Sequence, residues 1–200
     1  MPLLEHPSLE NAFVRLEPLE ERHRELLREA ANDPDLWRFA SVNQHGSDFD
    51  AWMAHRFKEI DRAGEATWAV WDKASNSYCG STSYLAVQPR HRRVEIGWTW
   101  YAKRAWSGPV NPSCKRLLFA YGFEALSLNR IELKLDATNL RSFRAVSRLG
   151  ARFEGIHRAH MVMPDGRIRD TAWFSVLKEE WLHVRDGLDA RLEEFEASRP

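Results

Sequence analysis

One segment constrains the fold more than any other, because its aliphatic residues alternate strictly with charged ones. Residues 130–136 read Arg-Ile-Glu-Leu-Lys-Leu-Asp. Alternation at period two predicts a β-strand with one buried face and one polar face. Asn139 follows at a position typical of a helix N-cap, and Gly150 closes the helical pattern that begins there. The sequence therefore predicts a strand that leads directly into a short helix.

The chain before this strand changes from helical to alternating character. Two segments have apolar residues at helical spacing and are predicted as helices, with Ser47 as the N-cap of the second: 19–30 and 49–60. Four segments alternate or are rich in aromatic and β-branched residues and are predicted as strands: 13–18, 67–71, 81–87 and 94–101. A loop over 107–112 then leads into a helix from about Ser113.

The chain after this strand predicts a hairpin and a last helix. Strands over 153–163 and 168–177 flank Asp165-Gly166, a strong hairpin signal. Residues 179–198 have the apolar spacing of an amphipathic helix. We find no internal repeat and no linker, so residues 1–200 are predicted to form a single domain of mixed α/β class.

Composition excludes several classes of function. Lys plus Arg equals Asp plus Glu at 29 each, and no basic run indicates a nucleic-acid partner. No segment has the ~20 apolar residues of a membrane span, and the first residues lack the pattern of a secretion signal. Cys79 and Cys114 fit neither a metal site nor a disulfide framework, so the cytoplasm is expected. His157 and His160 are too close to share one face of a strand and lack a third ligand, so no metal is expected.

Three features could carry chemistry, and each has a structural alternative. The loop over 107–112 enters a helix whose free N–H groups could bind a phosphate, although any strand–loop–helix connection has them. Ser142 lies on the first turn after Asn139, where capping alone explains both residues. Glu95 is a carboxylate in an apolar, aromatic strand. Burial would raise its pKa and suit it to general base catalysis, unless it faces water.

The second half of the chain resembles a known family. The residues that carry this resemblance are Glu95–Trp98, Arg130–Lys134, Asn139–Ser142, Arg148–Ala151, Glu154-Gly155, Arg169–Thr171, Phe174–Leu177 and Glu179–Trp181. In sequence and spacing they are similar to the GNAT superfamily of N-acetyltransferases, in the RimJ/RimL-like branch that acetylates ribosomal-protein N-termini. The match extends from about Val94 to Trp181. The resemblance implies a splayed, mostly antiparallel central sheet flanked by helices.

The resemblance also implies the site residues and the cosubstrate, acetyl-CoA. Glu95 matches the carboxylate that serves as general base in this family. Ser142 matches a serine that is a candidate general acid for the departing thiolate. Ser107 to Asn111 matches the pyrophosphate loop, and Asn139 the asparagine near the pantetheine arm. The full set of residues expected to bind the cosubstrate is Trp98, Thr99, Trp100, Ser107, Gly108, Val110, Asn111, Ser113, Lys115 and Asn139.

The loop departs from the family pattern, because Pro109 replaces its first glycine and has no N–H to donate. Losing a donor to a charged phosphate costs about 1.5–3 kcal/mol unless another group substitutes for it. Nearby candidates for that substitution are Asn111, Ser113 and Lys115.

These expectations leave the acceptor open. By resemblance the acceptor is a protein N-terminal amine, and the alternative is a small amine such as a polyamine, amino sugar or amino acid. The altered loop raises a second alternative, a CoA-binding relative without catalysis. The nine tryptophans raise a third, an interaction module that exposes them. The resemblance is compatible with a homodimer.

Overall fold

The computed structural model describes residues 6–42, 46–62 and 64–198, so the ends of the predicted domain, 1–5 and 199–200, lie outside the described residues. The strands are β1 (Leu9–Glu10), β2 (Val14–Pro18), β3 (Ala66–Asp72), β4 (Ser77–Gln88), β5 (Arg93–Tyr101), β6 (Arg130–Asp136), β7 (Arg152–Val162) and β8 (Ile168–Leu177). The α-helices are α1 (Arg24–Ala31), α2 (Asp48–Asp61), α3 (Val110–Ala120), α4 (Leu140–Ser147) and α5 (Trp181–Ala197).

All eight strands belong to one open sheet in the order β1-β2-β3-β4-β5-β6-β8-β7. Every neighbouring pair is antiparallel except β5 and β6, which are parallel. A sheet of this kind with helices on both faces is a mixed α/β architecture, and this part of the sequence prediction is confirmed.

The parallel pair at the centre of the sheet is short. β5 and β6 pair at Arg93–Arg130, Val94–Ile131 and Glu95–Glu132. Beyond Glu95, β5 stays paired with β4 but forms no further residue pairs with β6 in the described ranges. The sheet therefore opens into a cleft between β5 and β6. Since the two strands run in the same direction, the elements that follow each of them begin at the same edge of this cleft.

Two apolar layers cover the sheet. On one face, called here the α2 face, α1 and α2 bury aromatic residues that include Trp37, Trp52 and Trp100. On the other, called the α3 face, α3 and α5 pack over residues such as Val94 and Ile131. All nine tryptophans lie within the described residues, five are buried, and none is exposed. This burial argues against the module with exposed tryptophans.

Two details of the helices differ from the sequence prediction. Helix α3 begins at Val110 and not near Ser113. Its first turn tolerates Pro112, because the first N–H groups of a helix need no internal acceptor. Ser47 precedes α2 but makes no side-chain capping bond.

His157 and His160 lie side by side, so the prediction that their spacing separates them was wrong. An irregularity in β7 between His157 and Met161 breaks the alternation, and the two imidazole rings are 5.5 Å apart. Within the described ranges, no group of three or more His, Cys, Asp or Glu residues is arranged to hold a metal ion. In the same ranges, no helix is long and apolar enough to cross a membrane.

The close pairing of β4 and β5 predicts an effect on stability. A Cβ atom at Gly80 would lie 2.0 Å from the carbonyl oxygen of Trp100, and a backbone oxygen cannot move aside easily. We expect Gly80→Ala to lower the free energy of unfolding by roughly 1–3 kcal/mol, the usual cost of overpacking. Gly187→Ala is the matched control, because that α5 position has open space and should gain up to about 1 kcal/mol. Urea unfolding of both variants measures the difference.

Candidate active site

Glu95 lies where β5 and β6 part. It belongs to the last residue pair of the two strands and is 2% exposed. Its Oε2 is 3.0 Å from Nζ of Lys134, which projects from β6. Burial raises the pKa of Glu95 above its ordinary value, and the nearby Lys134 ammonium opposes part of that rise. A carboxylate with a raised pKa at the mouth of a cleft is suited to accept a proton near neutral pH.

A glycine leaves room for this carboxylate. A Cβ atom at Gly97 would lie 2.9 Å from Oε1 of Glu95, so a side chain here would push the carboxylate aside. Gly97 also marks the start of an irregularity in β5. The β4–β5 register runs from Ser83–Gly97 to Ser81–Trp100, so two residues of β5 lie opposite one residue of β4.

The two bulge residues, Trp98 and Thr99, are among those expected to bind the cosubstrate. Trp98 has φ of 48°, in the left-handed region that costs a non-glycine residue about 1–2 kcal/mol. Because β6 has already turned away, the β5 backbone here has no strand partner on the cleft side. Its free polar groups are therefore available to a ligand. Trp100 differs, since its ring is buried against Trp37 and Trp52, so only its backbone remains available for that role.

The loop expected to hold the pyrophosphate leads directly into α3. Pro109 is the N-cap residue, and Ser107 has φ of 62°. Val110 and Asn111 occupy the first turn, where N–H groups have no acceptor within the helix. The N–H of Ser113, in contrast, donates to the carbonyl of Pro109 at 2.9 Å, so it is not a free donor. The missing donor of Pro109 is thus not replaced by Ser113.

Two other candidates in α3 point away from the loop. Ser113 is fully buried, which does not suit a phosphate ligand at the helix end. Lys115 is 3% exposed, and its Nζ donates to Oγ1 of Thr99 at 3.2 Å. Burial lowers the pKa of Lys115 to about 8. The expectation that Lys115 replaces the lost donor is therefore corrected: its ammonium contacts the bulge of β5.

Helix α4 begins on the opposite side of the cleft. Asn139 is its N-cap, and Oδ1 of Asn139 accepts a hydrogen bond from the backbone N–H of Ser142 at 3.1 Å. The capping explanation is therefore correct for Asn139. The Asn139 amide donors and the partly exposed Ser142 hydroxyl are not used by this bond, so capping does not prevent either residue from binding a ligand.

An arginine that the sequence did not single out brings the two sides of the cleft together. The guanidinium of Arg141, in the first turn of α4, lies 3.4 Å from the ring centroid of Trp106. Trp106 immediately precedes the loop, and its Nε1 donates to the carbonyl of Tyr101 at 2.7 Å. The predicted pyrophosphate loop and the Asn139 helix are therefore neighbours, with a cation between them.

Lys134 and Arg141 were both missed from the sequence for the same reason. Each has an ordinary position, one on the polar face of a strand and one on the exposed first turn of a helix. Their importance depends on residues roughly forty positions away in sequence, Glu95 and Trp106, so no local pattern indicates it.

The arrangement as a whole fits a long anionic thioester in the cleft. The free N–H groups of α3 and the guanidinium of Arg141 can meet phosphates. The open β5 edge can hold an amide-containing arm, and Glu95 lies at the inner end of that edge. Such a site can place a base, a thioester and backbone donors around one reacting carbon atom.

Comparison with known proteins agrees with this geometry. Residues 14–152 match the family model described as Acetyltransferase (GNAT) domain. The crystal structure of a GCN5-related N-acetyltransferase from Brucella melitensis matches with a TM-score of 0.87 and 32% identity, covering 94% of this chain and 86% of that one. A Bacillus subtilis (strain 168) protein, provisionally named the ribosomal N-acetyltransferase YdaF, is 29% identical over 86% of this chain and 94% of its own.

A more distant structure shares the fold alone. The spermidine N-acetyltransferase from Vibrio cholerae, solved in complex with CoA and spermine, has a TM-score of 0.73 at 20% identity. The match covers 86% of this chain and 99% of that one.

The contact between Glu95 and Lys134 predicts a pH effect. Glu95 can accept a proton only as a carboxylate, so the rate should rise with pH through its raised pKa. Lys134→Met removes a charge that lowers this pKa, and we expect the rising limb of the kcat/KM profile to move to higher pH. Lys103→Met, which removes an exposed ammonium paired with Asp35, should leave the limb in place. An unmoved limb in Lys134→Met would mean that another group is the base.

Proposed function

Since the chain belongs to the GNAT family of acetyltransferases, it is an acetyl-CoA-dependent N-acetyltransferase, and we propose that its acceptor is a protein N-terminal amine. The observation that carries the proposed chemistry is the buried Glu95 carboxylate at the point where β5 and β6 part. A resident metal or a redox cofactor is not needed for this reaction.

In the proposed mechanism, Glu95 takes a proton from the acceptor ammonium, directly or through a water molecule. The amine nitrogen then attacks the thioester carbon and forms a C–N bond. Backbone N–H groups of β5 beside the bulge stabilise the developing oxyanion. The C–S bond breaks, the nitrogen of the new amide releases its extra proton to solvent, and Ser142 donates a proton to the leaving thiolate and regains one from solvent. Glu95 then gives its proton to solvent, which restores the base.

The open surface beside Glu95 supports a polypeptide acceptor. A groove of about 480 Å³ lies on the sheet across β5, β6, β8 and β7, and its lining includes Arg93, Glu132, His157 and Trp173. The Lys134 ammonium, which pairs with Glu95, also lies 5.5 Å from the Trp173 ring centroid. Trp173 therefore connects this groove, which the exposed strand β7 borders, with the Lys134–Glu95 pair. An extended chain end fits such an open groove, whereas a small ligand usually occupies a more enclosed pocket. The printed name of the YdaF relative supports the same acceptor class.

We also propose that the enzyme works in the cytoplasm. Cys79 and Cys114 are both free and buried, which accords with a reducing cytoplasm. A homodimer is part of the same proposal. It is supported by the exposed apolar residues Phe153 and Val162 along β7, and light scattering of the purified protein tests it.

The first test concerns the base. Glu95→Gln keeps the shape of the side chain and removes its basicity, so we expect kcat to fall by ~10²–10⁴ while the affinity for CoA, measured by calorimetry, stays the same. Glu124→Gln is the matched control, because an amide oxygen can still accept the hydrogen bond from Nε1 of Trp181. A near-normal rate for Glu95→Gln with saturating acceptor would remove Glu95 from the mechanism.

The second test concerns the acceptor. The purified enzyme is given acetyl-CoA and either a peptide with a free N-terminus, the same peptide blocked at its N-terminus, or spermidine. We expect kcat/KM for the free peptide to exceed that for spermidine at least tenfold, which corresponds to ~1.4 kcal/mol. Mass spectrometry should place the acetyl group on the α-amine. A preference for spermidine would assign the small-amine alternative, the activity named for the Vibrio cholerae structure.

A further inference from the structure

The β5 bulge has an unfavourable conformation that something must hold in place. Trp98 is a large aromatic residue with φ of 48°, and it shares the position opposite Thr82 with Thr99. A backbone conformation with this strain persists only where contacts with the surrounding structure stabilise it. At the β5 bulge, the helices on each face of the sheet contribute one buried cation.

From the α2 face, Arg56 reaches Trp98. Its guanidinium carbon lies 4.5 Å from the centroid of the Trp98 ring, and the residue is fully buried. One of its nitrogen atoms pairs with Glu65, while Nε and Nη2 have no hydrogen-bond partner among the described residues. A desolvated cation on the face of a tryptophan ring attracts it strongly, so the contact holds the ring against α2.

From the α3 face, Lys115 reaches Thr99. Its Nζ is 3.2 Å from Oγ1 of Thr99, and that oxygen is 2.8 Å from Oγ1 of Thr82. One ammonium thus fixes the second bulge residue and, through it, the residue opposite on β4. Helix α3 carries Lys115 just after the first turn that faces the cosubstrate, so the bulge and the loop are joined mechanically.

We propose that Arg56 and Lys115 are positioning residues for acetyl transfer, two buried cations that fix the β5 bulge from opposite faces of the sheet. Neither touches the acceptor or the cosubstrate. Their effect is to hold the free backbone of Trp98 and Thr99 at the angle required to stabilise the oxyanion. The inference rests on the proposed function in one respect, the location of the thioester beside β5.

The variants are chosen so that folding is preserved. Lys115→Met keeps the length of the side chain and removes its charge. For the other cation we use the double variant Arg56→Met/Glu65→Gln, because Arg56→Met alone would leave the half-buried Glu65 carboxylate without its partner. Arg116→Met is the control. It removes a cation beside Lys115 whose partner is Asp189 of α5, away from the bulge.

Two measurements test the proposal. NMR backbone chemical shifts, which report φ and ψ, should change at Trp98 and Thr99 in both cation variants and stay unchanged in Arg116→Met. With saturating substrates, kcat per folded molecule should fall about tenfold to a hundredfold, less than the ~10²–10³ caused by loss of an oxyanion donor. The Kd for CoA should stay within about threefold. When both cations are removed in one variant, the fold-loss in kcat should be smaller than the product of the two separate fold-losses, because both cations act on the same bulge.

The outcomes separate this inference from the proposed function. Unchanged shifts at Trp98 and Thr99 would overturn it regardless of activity. Changed shifts with unchanged kcat would overturn the catalytic role of the bulge. A loss confined to the Kd for CoA in Lys115→Met would make Lys115 a cosubstrate ligand instead. Failure of the proposed function would be seen independently, as a preference of the unmodified enzyme for spermidine over the free peptide.

Discussion

The parting of β5 and β6 after three residue pairs is the constraint on which the rest of the structure depends. Continued pairing would close the cleft and occupy the backbone groups that the site needs. Parallel direction matters as much, because it places the beginnings of α3 and α4 at one edge of the same opening. An unpaired central strand is unfavourable in isolation. Here β4, the two helical layers and the buried cations keep it in place.

The contrast between two buried carboxylates illustrates how the fold assigns roles. Burial acts on Glu17 too, but hydrogen bonds from Tyr78, Arg15, His23 and Arg22 bring its pKa down to about 2, so it stays charged and ties β2 to its surroundings. Glu95 is more deeply buried and has the single ammonium of Lys134 beside it, and its pKa is raised. The number of donors around each carboxylate, and not burial alone, separates a structural anion from a base.

The layout around the cleft was predictable from the sequence, whereas the roles of the site residues stay predictions. Glu95, Asn139 and the loop before α3 lie around the cleft as the family resemblance implied. The errors concern direction: Lys115 and Trp100 point into the protein and not toward the loop or cleft. Lys115 lies in α3, and its direction depends on how that helix packs against the sheet. Trp100 follows the bulge of β5, where one extra residue in the strand breaks period-two alternation. The histidine pair of β7 was misplaced for the same reason.

The sequence by itself determined the order and type of the elements. Apolar periodicity, Asn139 as a helix cap and the Asp165-Gly166 hairpin are local signals that need no knowledge of the partner strands. Only the tertiary structure decided where β5 leaves β6, that Lys134 meets Glu95, and that Arg56 and Arg141 lie on the rings of Trp98 and Trp106. Those contacts join residues far apart in the chain. Their energies come from burial and charge in the assembled fold, which no local pattern contains.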